Sequence, residues 1–135
     1  MKNPKSKYLI VAISLLVGLL HFLIGPDYQG VFRDFMRGYL IDILLPCNLY
    51  LLLQIAIRKH TSVFLARLAG AGFTFSFGVV VEILQAYHVQ FLGTTYDPLD
   101  ILMYAIGVGL GILLDLTLLD RLEKSSPEDH QSAGK

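Results

Sequence analysis

Six polar residues stand out in this chain because they interrupt, or closely border, long apolar stretches. They carry one guanidinium, one amide and four carboxyl groups, and they are Arg37, Asp42, Glu82, Gln85, Asp97 and Asp100. An ionised carboxylate inside hydrocarbon costs several kcal/mol unless it is paired or hydrated. Carboxyl groups in such positions are therefore candidates for binding a cation or hydrogen-bond donor, or for acting as a general acid–base pair.

The spacing of these residues allows both functional and structural interpretations. Glu82 and Gln85 are three residues apart and would share one face of a helix. Arg37 is the candidate partner of Glu82 or Asp42, because a planar guanidinium matches a carboxylate in a bidentate contact. A salt-bridge network that only fixes the helices is the alternative for the two carboxyl groups, and an interhelical hydrogen bond is the alternative for Gln85.

The remaining two carboxyl groups also fit a helix start. Asp97 precedes Pro98, which is the pattern of an N-cap followed by proline at the first helical position. Asp100 would then stand in the first turn, where a carboxylate interacts favourably with the positive end of the helix dipole. A purely structural role is therefore an alternative to a functional role for both residues.

Composition narrows the class of protein. Of the 135 residues, 54% are hydrophobic and only 16% are charged, whereas soluble domains carry about 25% charged residues. Eleven basic and eleven acidic residues cancel, so no basic excess indicates binding to nucleic acid. The single cysteine, Cys47, excludes an intramolecular disulfide, and no Cys/His spacing predicts a metal site. The sequence predicts no cofactor.

The hydrophobic residues are concentrated in four runs, each long enough to cross roughly 30 Å of hydrocarbon as a helix. The predicted spans are 8–25, 39–57, 63–87 and 99–119. Because only helices and closed barrels satisfy the backbone in lipid, we predict an all-α polytopic membrane protein, a bundle of four transmembrane helices. Residues 1–122 would form this single domain, and the polar residues 123–135 would form a disordered cytoplasmic tail.

Lysine and arginine predict the orientation, because they concentrate on the cytoplasmic side of membrane proteins. With four spans both termini face the same side, which would hold nine of the eleven basic residues, while the other side holds only Arg33 and Arg37. Both termini are therefore predicted to be cytoplasmic. The outward side would carry more carboxyl groups than arginines, which favours a cationic or donor-rich ligand such as a lipid headgroup, sugar hydroxyls or a cationic drug.

Small residues predict how the helices pack, because close approach of helices drives their association in lipid. A stripe with a step of four residues follows the third span: Ala66, Gly70, Thr74, Gly78 and Glu82. Gly107 and Gly111 form a G-x-x-x-G pair in the fourth span. We expect the third and fourth helices to pack against each other along these stripes.

Two stretches resemble known membrane proteins. Residues 77–111, FGVVVEILQAYHVQFLGTTYDPLDILMYAIGVGLG, resemble the VanZ-like family of small integral membrane proteins. That family has a Glu-x-x-Gln near a helix end, a short loop, and then an Asp opening a last helix rich in small residues. Residues 37–50 are similar to a related group of small membrane proteins. The resemblance implies a helical fold in the bacterial cytoplasmic membrane and, from its founding members, an effect on susceptibility to teicoplanin-type glycopeptides.

Four function classes stay open. The first is a non-enzymatic envelope protein whose outward acidic site binds a lipid, a cell-wall precursor or a cationic antibiotic. The others are a structural membrane subunit, a small enzyme acting on a lipid-linked substrate with Glu82 as general base and Asp100 as its partner, and a transporter. The expected partner is the lipid bilayer. No binding to nucleic acid is expected, and the sequence leaves open whether the protein forms oligomers.

Overall fold

The computed structural model describes residues 3–24, 28–89 and 97–125, with the side chains of residues 34 and 37 left out. The elements are the helices α1 (Pro4–Leu23), α2 (Arg33–Arg37), α3 (Tyr39–Ile57), α4 (Val63–Ala86) and α5 (Pro98–Leu114). A π-helical segment, Asp115–Leu119, continues α5 into α6 (Asp120–Lys124). In the described part of the chain, helices are joined by short turns and there are no strands.

Four helices are long and apolar enough to cross a membrane, as predicted: α1, α3, α4 and the continuous helix Pro98–Lys124. The last of these has 27 residues, which at 1.5 Å per residue is roughly 40 Å. Large apolar side chains cover their outer faces, and examples that are more than half exposed are Leu15, Phe22, Phe64, Phe73 and Leu113. The polar faces typical of helices on a water-soluble domain are missing from these surfaces.

Local sequence signals set the helix ends. Asn3, Ser62 and Asp97 each cap a helix by accepting a backbone N–H, and a proline follows Asn3 and Asp97 at the first helical position. At its carboxyl end α4 closes in a Schellman motif. There the N–H of Val89 donates to the carbonyl of Leu84, and the intervening His88 has a left-handed φ of 59°.

Helix α3 is the centre of the bundle, since it contacts α1, α4 and α5, with α5 as its most extensive neighbour. The core is formed by Ile10, Cys47, Tyr50, Leu51 and Leu119. Cys47 is a small buried core residue here, packed among apolar side chains.

The first and last described residues meet at one end of the bundle. The backbone N–H of Asn3 donates to the carboxylate of Glu123, and its side-chain amide donates to the carbonyl of Leu122 at 2.5 Å. We call this the terminal end and the opposite one the distal end. Glu123 and Lys124, the first residues of the predicted tail, lie in α6, and residues 126–135 of that tail lie outside the described residues.

The glycine stripes are packing surfaces, and only Gly78 of α4 packs on the fourth span as we expected, against the ring of Tyr104. A Cβ at Gly107 would overlap the carbonyl oxygen of Ile43 in α3, and a Cβ at Gly111 would lie 2.8 Å from the Tyr50 ring, also in α3. The G-x-x-x-G pair of α5 therefore packs against α3 and not against α4. The physical reason is that a small-residue stripe specifies which face approaches closely without specifying which neighbour approaches it.

The glycines of α4 have separate partners. A Cβ at Gly78 would lie 2.6 Å from the ring of Tyr104 in α5, and one at Gly70 would lie 2.5 Å from the amide nitrogen of Gln54 in α3. Each glycine thus makes room for a polar side chain of a neighbouring helix, and those two side chains belong to the polar clusters at opposite ends of the bundle.

Candidate functional site

The distal end collects carboxyl groups from three helices. Asp42 lies in the first turn of α3, Glu82 lies near the carboxyl end of α4, and Asp97 and Asp100 open α5. Because α4 runs antiparallel to both neighbours, the end of α4 meets the starts of α3 and α5. We call these four residues the distal carboxyl cluster.

Glu82 is the most unusual member of the cluster. Its exposure is 0%, and the hydroxyl of Tyr104 donates a hydrogen bond to its Oε1 atom at 3.0 Å. The second oxygen, Oε2, has no hydrogen-bond partner among the described residues. Gly78 lies one turn before Glu82 on α4 and makes room for the Tyr104 ring that reaches it. A buried carboxyl oxygen without a donor is costly, so it is a position where a bound donor would be stabilising.

Asp42 and Asp100 face each other beside Glu82. Their carboxyl groups are close enough to interact electrostatically with each other and with Glu82. Carboxylates held close together repel one another, and none of them can offer its neighbour a hydrogen-bond donor. The cluster is therefore a place where a proton, a cation or a donor group from a ligand can be held between acidic side chains.

Asp97 lies at the edge of the cluster and has a structural role. Its side chain accepts the backbone N–H of Leu99 at 2.9 Å as the N-cap of α5, and it also accepts the hydroxyl of Tyr39 at 3.3 Å. The structure thus shows the N-cap geometry that the Asp97-Pro98 pattern predicts, and it ties the start of α5 to the start of α3.

The structure says less about the two remaining predicted site residues, Gln85 and Arg37. Gln85 is buried one turn from Glu82, and its Oε1 atom has no hydrogen-bond partner in the described part of the chain. Arg37 ends α2, which leads into α3 close to the cluster, but its side chain lies outside the description. The pairing of Arg37 with Glu82 or Asp42 therefore stays a prediction.

A groove adjoins the cluster on the side where α3 and α4 diverge. It encloses about 340 Å³ and is lined mainly by apolar side chains. Its lining residues include Asp42 and Tyr104 at the distal end, Thr74 and Asn48 further along, and Leu52 furthest toward the terminal end. A volume of this size is at the lower end of the range of small-molecule sites.

The terminal end holds a second polar network that sequence reasoning largely missed. Asp115 is fully buried and accepts hydrogen bonds from Arg58 at 2.5 and 2.6 Å, from Arg67 at 3.0 Å, and from the Tyr50 hydroxyl at 2.9 Å. Every oxygen of this carboxylate is satisfied, so the network is a structural link between α3, α4 and α5.

A signal for this network was present in the sequence. Tyr50, Gln54 and Arg58 recur every four residues and so lie on one face of α3. Gln54 joins the network by accepting from Arg58 Nε at 3.1 Å and donating to the Ala66 carbonyl at 3.2 Å. The two ends of the bundle therefore differ: the terminal network is internally satisfied, and the distal cluster is not.

Metal chemistry has no support in the described residues, in which no group of three His, Cys, Asp or Glu side chains is placed to hold an ion. Comparisons of the chain with protein-family models, with curated proteins and with solved structures find no match. The resemblance of residues 77–111 to VanZ-like proteins, and of residues 37–50 to a related group, therefore stays a prediction from short motifs. The geometry of the distal cluster is the observation that bears on function.

Proposed function

We propose that the chain is a multi-pass protein of the bacterial cytoplasmic membrane with both termini on the cytoplasmic side. Four helices of sufficient length and hydropathy support this proposal, as do the apolar side chains that cover their outer faces. The meeting of Asn3 with Glu123 at one end agrees with an even number of spans. The excess of lysine and arginine on the segments at that end supports the cytoplasmic assignment.

In this orientation the distal carboxyl cluster faces outward, and we propose that it binds a group that donates hydrogen bonds or carries positive charge. The observation that carries this proposal is Glu82, which is fully buried with one oxygen bonded to Tyr104 and the other without a partner among the described residues. Asp42 and Asp100 add two further acceptors beside it. A positive or donor-rich group would satisfy all three side chains at once.

The physiological setting that fits best is the cell envelope. The likeness of residues 77–111 to VanZ-like proteins, together with an outward acidic site, favours a non-enzymatic role in which the protein binds a lipid or cell-wall precursor and lowers susceptibility to teicoplanin-type glycopeptides.

The test is glycopeptide tolerance in a sensitive bacterial host that lacks the protein. Wild type, Glu82→Gln, Asp100→Asn and the control Asp120→Asn would be expressed at equal membrane levels. The control makes the same chemical change at the terminal end, where Asp120 is paired with Arg67. We expect wild type and Asp120→Asn to raise tolerance and the two distal variants to lose most of this effect.

Two results would contradict the proposal. If wild type leaves tolerance unchanged, the glycopeptide role is refuted. If all four proteins raise tolerance equally while remaining folded, as judged by their elution and melting in detergent, the distal carboxyl groups are not part of the activity.

A further inference from the structure

The groove between α3 and α4 has the shape of a site for one hydrocarbon chain. Its α3 wall extends from Asp42 to Leu52, a rise of ten residues or roughly 15 Å along the helix axis. Leu45, Leu52 and Phe77 line it and are each more than a third exposed, so the groove opens sideways on the surface that would face lipid.

The distal end of the groove is rich in acceptors. Asp42 is the only charged side chain among the described lining residues. Pro46, one turn later in α3, has no N–H, so it cannot donate to the backbone carbonyl of Asp42 as an ordinary residue would. The carboxyl group and the carbonyl of the same residue therefore both lie at this end as acceptors, next to the Tyr104 side chain.

A second polar position lies further along the groove. Thr74 has an exposure of 1%, and its hydroxyl has no hydrogen-bond partner among the described residues although it lines the groove. Asn48 also lines the groove and lies six residues beyond Asp42 in α3, or roughly 9 Å further along the axis. A buried hydroxyl that bonds nothing in its own protein is suited to donate to an acceptor on a bound molecule.

We propose that this groove binds an amphiphile with an ammonium head and a carbonyl group within its hydrocarbon chain. The ammonium lies at the distal end beside Asp42, where the neighbouring Asp100 and Glu82 add negative charge. The chain follows the apolar walls, and its ester or amide carbonyl accepts the hydroxyl of Thr74. This inference rests on the proposed function, because it identifies the class of molecule that the distal cluster binds.

The charge pattern distinguishes this occupant from other lipids. A head bearing only phosphate or sulfate would place negative charge beside three carboxyl groups, with no basic side chain among the described lining residues to offset it. A neutral alcohol could donate one hydrogen bond but would gain no charge attraction. An ammonium supplies donors together with a positive charge, which none of the described side chains lining the groove provides.

The experiment is competitive photolabelling of the full-length protein in maltoside micelles. The label is an alkylamine with a diazirine at the end of its chain. The competitors have equal length: a plain alkylamine, an alkylamine with one amide bond in its chain, an alkyl alcohol and an alkyl sulfate. The labelled residues are mapped by mass spectrometry. We expect labelling of the groove around Leu49 and Leu52, with both amines competing better than the alcohol and the sulfate.

Three variants separate the parts of the site. Asp42→Asn should weaken both amine competitors by about tenfold or more, because it removes the charge that pairs with the head. Thr74→Val keeps the shape of the side chain and should weaken only the amide-bearing competitor, by about three- to tenfold. Leu49→Trp should block labelling, whereas the control Leu113→Trp, on an outer face that is 55% exposed, should not.

Labelling spread evenly over the outer faces, or competition that ignores the charge of the head, would overturn the inference. If the amide-bearing amine competes as well in Thr74→Val as in wild type, the assignment of the ligand carbonyl to the Thr74 hydroxyl is overturned. If Glu82→Gln abolishes glycopeptide tolerance while labelling shows no groove selectivity, the proposed function stands and the amphiphile inference fails. If groove labelling follows our expectation while tolerance does not depend on Glu82, the glycopeptide role fails instead.

Discussion

Neutralising Asp115 should destabilise the bundle more than any other single carboxyl substitution at the terminal end. The Asp115 side chain is fully buried and accepts hydrogen bonds from Arg58, Arg67 and Tyr50. Asp115→Asn removes the negative charge closest to the Arg58 guanidinium, whose side chain is only 3% exposed, and leaves the half-buried Asp120 carboxylate 4.0 Å away as a weaker partner. Breaking one partner of such a pair costs about 3–5 kcal/mol, because the remaining charge stays desolvated.

The matched control is Asp120→Asn. Asp120 pairs with the same Arg67 at 2.6 Å, but its side chain is 28% exposed, so water can replace the lost contact. Its substitution should cost about 1 kcal/mol or less. The assay is equilibrium unfolding in mixed maltoside and dodecyl sulfate micelles, followed by circular dichroism.

A second comparison tests the reason for the loss. The double variant Arg58→Met, Asp115→Leu removes both charges and should be more stable than Asp115→Asn, because no unpaired buried charge is left. The reasoning would be refuted if Asp115→Asn and Asp120→Asn cost the same free energy of unfolding, or if the double variant were less stable than the single one.

Three further predictions use the same unfolding assay. Tyr104→Phe removes the only donor that the described residues supply to Glu82 and should cost about 1–3 kcal/mol; no change would show that water already satisfies the carboxyl group. Gly107→Ala should cost about 1–3 kcal/mol of unfolding free energy, because its Cβ would overlap the α3 backbone. The control Gly109→Ala has no atom within 4 Å of its Cβ position and should be neutral or stabilising by up to about 1 kcal/mol. Equal effects of the two substitutions would contradict the packing of Gly107 against α3. His88→Gly should stabilise by about 1 kcal/mol, since glycine adopts the left-handed backbone without strain, and a loss of stability would contradict the helix cap.

The helices themselves could be predicted from the sequence because their signals are local. The apolar run of residues 39–57 has the same bounds as α3 in the structure. The Asp97-Pro98 pair predicts the start of α5, and the structure has the cap there. A run of apolar residues and a capping residue determine a helix without reference to any other part of the chain, so no tertiary information is needed.

The neighbours of each helix could not be predicted in the same way. The G-x-x-x-G pair of α5 marks a face that packs closely, but nothing in the pair states that Ile43 and Tyr50 of α3 occupy it. The π-helical segment from Asp115 to Leu119 has no local sequence signal either. A π turn inserts one residue into the helical repeat, so it shifts which side chains share a face beyond it.

The same limit explains why the sequence indicates the distal carboxyl residues but not the buried Arg58. A four-span topology places Asp42, Glu82 and Asp100 at the same end of the bundle, and in the structure they lie side by side. Arg58 was overlooked because an arginine at a helix end is ordinary on a membrane surface. Its burial follows from the packing of Asp115 against α3, which is a tertiary fact.

The most direct test of the central claim, that the distal cluster binds a donor-bearing molecule, is native mass spectrometry of the protein extracted gently from its own membranes. Wild type would be compared with Glu82→Gln and with Asp120→Asn, each at equal yield. The distal site predicts a bound adduct on wild type and Asp120→Asn that is strongly reduced on Glu82→Gln. The same adducts at the same occupancy on all three proteins would contradict it.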